Sequence, residues 1–65
     1  MQVTINGKQE RLGPCTIEQM VRAKGLKAET LVVEHNRQVV YRERWRHISL
    51  EEGDVVELLR FVGGG

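Results

Sequence analysis

Sixty-five residues, with ten Lys and Arg against nine Asp and Glu and a pI near 8.0, describe one small, nearly neutral domain close to the lower size limit for folding without staples. Near-neutrality supplies no overall field to recruit nucleic acid, and one Trp, one Tyr and one Phe are too few for a base-stacking platform. A single cysteine, Cys15, excludes an intrachain disulfide and a Cys-rich zinc site; no apolar run approaches a membrane span and no basic-then-apolar leader is visible, so the expected setting is the reducing cytoplasm, with no membrane partner.

Val3 and Ile5 alternate with Gln2 and Thr4, which predicts a strand over Met1 to Ile5, and Asn6-Gly7 tolerates positive φ at both positions of a tight turn. A two-residue turn sets Ile5 opposite Lys8, Val3 opposite Glu10 and Met1 opposite Leu12. Gly13-Pro14 ends the second strand. Thr16 and Gln19 have the spacing of a capping box, predicting a helix from about Ile17 to Lys24 with a buried stripe of Ile17, Met20, Val21 and Ala23. Gly25 fits the left-handed residue after the helix, with Leu26 folding back on Val21. Cys15, just before the cap, reads as a small staple on Met20 in preference to a reactive thiol, since no His or Asp close in sequence would activate it.

Leu31 to Glu34 is the next β-prone run, His35-Asn36-Arg37-Gln38 a turn with Asn36 left-handed, and Val39-Val40-Tyr41 a further strand. In Arg42 to His47 basic residues surround Trp45; a solvated loop with Trp45 folded beneath it is favoured over a phosphate-binding patch. His35 and His47 read as isolated loop residues without metal-ligand spacing. Ser49 to Asp54 forms a turn closed by Gly53 that delivers Leu50 to the core. In the last strand, from Val55, burying Glu57 unpaired would be costly, so its face is the outer one and Val56 and Leu58 face the helix. Leu59 and Phe61 then share the outer face with Glu57 just before Gly63-Gly64-Gly65, either as an exposed apolar pair that a partner would cover or as a pair covered by a neighbouring loop or the twist of the strand end. A strand running into glycines predicts a flexible tail that can be threaded, extended, into a slot too narrow for any Cβ.

A hairpin, one helix and three further strands predict an α+β fold of the β-grasp type: a mixed four- to five-stranded sheet wrapped over one main helix, first and last strands side by side in parallel. The expected division is a domain over 1–62 and a glycine tail over 63–65. Ile5-Asn6-Gly7-Lys8, Thr16-Ile17, Val32-Val33-Glu34-His35-Asn36, Gly53-Asp54-Val55-Val56-Glu57 and Phe61-Val62-Gly63-Gly64-Gly65 occur in that order along nearly the whole chain. In them it resembles the ThiS-type sulfur carriers of thiamin biosynthesis, a ubiquitin-like family. Arg37 departs from that pattern, which often has glycine after the asparagine, and the Arg42 to Arg46 cluster is more basic than the family leads one to expect.

The resemblance implies that the Gly65 α-carboxylate is adenylated with ATP by a ThiF-like partner enzyme. Sulfur drawn from cysteine, through a cysteine desulfurase or similar donor system, then displaces AMP. The resulting thiocarboxylate serves thiazole synthase. Gly63 and Gly64 would be threaded into the partner while Leu59 and Phe61 dock the body. The implied protein is a cosubstrate and not an enzyme, with no cofactor of its own and no nucleic-acid partner. Two alternatives stay open at this level: a carrier for molybdopterin or another acceptor, similar to the small subunit of molybdopterin synthase, and a non-carrier TGS-like module binding RNA or protein through Arg42 to Arg46.

Overall fold

Local signals decide the first half of the chain. The computed structural model describes residues 1–61. Strands β1 (Gln2–Ile5) and β2 (Lys8–Arg11) form the antiparallel hairpin in the expected register, Ile5 opposite Lys8 and Val3 opposite Glu10, with Asn6 and Gly7 at φ 51° and 81°. The open end is laced shut by the Met1 amino group donating to the Leu12 carbonyl at 2.7 Å and the Leu12 N–H donating back to Met1 at 2.8 Å.

Helix α1 (Ile17–Ala23) opens on the predicted capping box: the Thr16 N–H donates to Gln19 Oε1 at 2.9 Å and the Gln19 N–H to Thr16 Oγ1 at 3.1 Å. Lys24 caps the other end. Gly25, at φ 70°, donates to the Arg22 carbonyl and Leu26 to that of Val21, the Schellman arrangement. Ile17, Met20 and Val21 are buried, but Ala23 is exposed. At about 100° per residue Ala23 lies more than about 100° from the centre of that stripe, so it turns away from the sheet.

Strands β3 (Leu31–His35), β4 (Gln38–Val40) and β5 (Val55–Arg60) complete a five-stranded sheet in the order β2-β1-β5-β3-β4, with β1 and β5 parallel and the other pairs antiparallel. A single 3-10 turn over Ala28–Thr30 leads into β3 and a six-residue 3-10 segment over Arg42–His47 follows β4, neither of them expected from the sequence. The turn between β3 and β4 is tighter than expected. His35 belongs to β3 and pairs with Gln38, leaving only Asn36 and Arg37 at the tip, both left-handed at φ 50° and 71°. Tyr41 falls outside β4 and is exposed.

The core lies between α1 and the sheet. Val3, Ile5, Val33 and Val56 rise from the strands to meet Ile17, Met20 and Val21, with Leu50 and Trp45 closing the ends. Trp45 is buried beneath its basic neighbours as expected, and its Nε1–H donates to the Val40 carbonyl at 2.9 Å, so the ring is buried without orphaning its one polar atom. Cys15 is a free thiol, half-buried against the same core.

Candidate functional site

The last strand is the central one. β5 has β1 on one side and β3 on the other. Each neighbouring turn adds a side-chain clamp. Where β1 ends, Asn6 takes over from the backbone and its Oδ1 accepts the Leu58 N–H at 2.7 Å. On the other side the Asn36 N–H donates to the Val55 carbonyl at 2.8 Å, while Asn36 Oδ1 accepts the Val55 N–H at 2.9 Å. Both asparagines therefore do two jobs: they accept a positive φ and they complete the ladder of β5.

A polar cluster secures the start of this strand. His35 Nε2 lies 2.8 Å from Asp54 Oδ2, which also accepts the Glu51 N–H at 2.9 Å, and Asn36 Nδ2 donates to Asp54 Oδ1 at 3.2 Å. Burial pushes the Asp54 pKa up, but the hydrogen bonds from His35, the Glu51 backbone and Asn36, with the His35 charge, outweigh it and hold the carboxyl below its ordinary 3.8. His35 is thus no isolated loop residue. The signal that sequence reading missed is a contact across nineteen positions, visible only once β3 and β5 are paired.

At the other end β5 presents two faces. Val56 is fully buried, and Leu58 is half-buried because the short α1 leaves an open groove of about 640 Å³ beside it, lined also by Ile5, Leu31, Lys8 and Arg60. Leu59 and Phe61 lie on the outer face, as the placement of Glu57 predicted, and at 46% and 51% exposed they are the uncovered pair of the two alternatives the sequence left open. The Phe61 N–H still donates to the Thr30 carbonyl at 3.1 Å, so the strand stays tied to the sheet at Phe61. Gly63, Gly64 and Gly65, the expected tail and modification site, lie outside the described residues.

Among the described residues no group of three His, Cys, Asp or Glu side chains is placed to hold a metal ion, and no helix is long and apolar enough to cross a membrane. The basic 3-10 turn is interleaved with acid: Glu18 and Glu43 share a shallow depression with Arg42 and Arg46.

A mixed sheet curled over one helix, its central strand running in parallel beside the first and ending in exposed apolar residues, defines a ubiquitin-like β-grasp protein. The sequence profile of the ThiS family matches residues 3–65. The chain is 34% identical over 50 residues to the sulfur carrier protein ThiS of Bacillus subtilis, an alignment covering 77% of this chain and 76% of that one. The crystal structure of thiamine biosynthesis protein ThiS from Geobacter metallireducens superposes with a TM-score of 0.86 at 33% identity, over the whole of both chains. All of this chain also aligns, at 27% identity, with a segment making up 20% of a thiazole synthase from Paramagnetospirillum magneticum. The chain belongs to the ThiS family, the small sulfur carriers of thiamine biosynthesis.

Proposed function

We propose that the body is a handle and Gly65 the working group. A ThiF-like partner enzyme binds ATP; the Gly65 carboxylate attacks its α-phosphorus, pyrophosphate leaves, and the acyl-adenylate forms. The terminal sulfur of a persulfide, charged from cysteine by a desulfurase-type donor, attacks the activated carbonyl carbon and AMP departs; a thiol then cleaves the resulting acyl disulfide, leaving the thiocarboxylate on Gly65 and a disulfide on the donor side. The net change at the terminus is one oxygen replaced by sulfur. Thiazole synthase then takes the sulfur from the thiocarboxylate, a partnership supported by the thiazole synthase containing a segment similar to this whole chain. We place this cycle in the cytoplasm, in keeping with a single unpaired cysteine.

The observation that carries the reading is the exposed Leu59 and Phe61 pair at the end of a strand clamped on both sides. Those two side chains dock the body, and Gly63 and Gly64, having no side chains, let Gly65 alone reach the reacting phosphate. Orientation, more than chemistry, is this chain's contribution. Incubated with the adenylating enzyme, ATP and a sulfur source, the protein gains the mass difference of sulfur for oxygen, and deletion of Gly65 abolishes that gain while leaving thermal unfolding unchanged. An unmodified mass with salt-sensitive RNA affinity instead would identify a binding module.

A further inference from the structure

Five large hydrophobic side chains are exposed among the described residues: Val39, Tyr41, Val55, Leu59 and Phe61. They gather on one side of the sheet. Strand register places Val39, Val55 and Leu59 on the outer face with Glu57, while Phe61 continues the alternation of Leu59 and Tyr41 that of Val39. The apolar surface therefore reaches beyond the end of β5, across β3 to β4, over about 10 Å at the usual strand spacing. Apolar faces of this kind mark sites that a partner covers.

An acidic pair sits within it. Glu34 of β3 stands directly opposite Glu57 of β5, and Val39 of β4 flanks Glu34 on its other side. Both glutamates are half-buried, and the ion pairs among the described residues, Lys24–Glu10 and His35–Asp54, involve neither of them. Their nearest neighbours on this face, Val32, Val39, Val55 and Leu59, carry no charge. Like charges directly opposite on paired strands, with Cβ atoms about 5 Å apart, weaken a sheet. The free fold gains nothing from this arrangement, whereas a cation arriving between the two carboxylates would.

We propose that this face receives a segment of the adenylating partner that carries one arginine between apolar side chains, the guanidinium bridging Glu34 and Glu57. This rests on the reading that Leu59 and Phe61 dock that enzyme. The occupant follows from complementarity: a planar fork with five donors can serve two adjacent carboxylates at once, which the point charge of a lysine does less well, and the surrounding valines and leucine match an apolar flank.

The test is calorimetric binding of the full-length carrier to its adenylating enzyme, at low and high ionic strength, for Glu34→Gln, Glu57→Gln and the double variant. Each single change weakens affinity about tenfold and the double variant loses most of the salt dependence, while thermal stability stays level or rises. Glu43→Gln, an equal change in net charge on the basic 3-10 turn, leaves affinity unchanged. The proposal is overturned if the glutamine variants bind normally, if Glu43→Gln weakens binding as much, or if only binding to thiazole synthase suffers. Phe61→Ala separates the two layers of inference. If it weakens binding while the glutamine variants do not, the acidic pair alone is misassigned; if it too is without effect, the docking reading itself fails.

Discussion

Replacing Asn6 tests whether the central strand depends on a side chain from the neighbouring turn. Asn6 holds φ 51° and its Oδ1 accepts the Leu58 N–H at 2.7 Å. Asn6→Gly keeps the left-handed backbone accessible but deletes the acceptor. The bond is solvent-accessible, so water partly replaces it and the loss is about 0.5–1.5 kcal/mol. Asn6→Ala loses the same bond and adds roughly 1 kcal/mol for forcing a Cβ into positive φ. In a chain of this size each kcal/mol lowers Tm by about 4–8 °C. The expected order is wild type and Asn6→Asp together, then Asn6→Gly, then Asn6→Ala, read from urea unfolding at constant m-value. Amide exchange locates the effect: the Leu58 N–H exchanges faster in the glycine and alanine variants and is unchanged in the aspartate one. Unaltered Leu58 protection in Asn6→Gly, whatever the global stability, would refute the side-chain clamp.

Asp54 has its pKa lowered in the fold, so its contribution is present above the unfolded carboxylate's value and is lost as pH falls through the lower folded one. Unfolding free energy measured from neutrality down into that acid range should decline more steeply in wild type than in Asp54→Asn; parallel curves would remove the cluster from the account. Arg37, at φ 71° in the second position of a two-residue turn, occupies a conformation that glycine adopts without strain, and Arg37→Gly should stabilise the fold by about 0.5–1 kcal/mol in thermal unfolding. A lower Tm would show that the arginine side chain contributes more than the strain costs. Cys15→Ser should cost about 1 kcal/mol by placing a hydroxyl at a half-buried apolar position, with sulfur loading at Gly65 unaffected. Blocked loading, detected by mass, would assign the thiol a chemical role.

Features governed by neighbours in sequence were legible beforehand. Asn6-Gly7 set a hairpin register, Thr16 and Gln19 a helix start and Gly25 its end, and the charge of Glu57 sorted the two faces of β5 correctly, placing Leu59 and Phe61 on the outer one. Features that depend on which strands lie side by side were not. Asn6 and Asn36 could be read for backbone freedom, but their second role needs β5 between the two turns; the same pairing brings His35 to Asp54 and Glu34 to Glu57. Ala23 was misplaced by one helical position because the stripe is narrow and alanine is small enough to be tolerated on either side. The proposed tail chemistry rests on the glycine sequence and on the family, since residues 63–65 lie outside the described part of the chain.

The interior position of β5 has a mechanical consequence. Tension applied at the carboxyl end runs along a strand cross-linked on both flanks, by bonds perpendicular to the pull toward β3 and slanted to it toward β1. The two ladders are loaded in shear and must give way together, whereas an edge strand could be peeled off one bond at a time. Under the proposed function, in which an enzyme seizes and releases this end, the fold is thereby built to survive the handling.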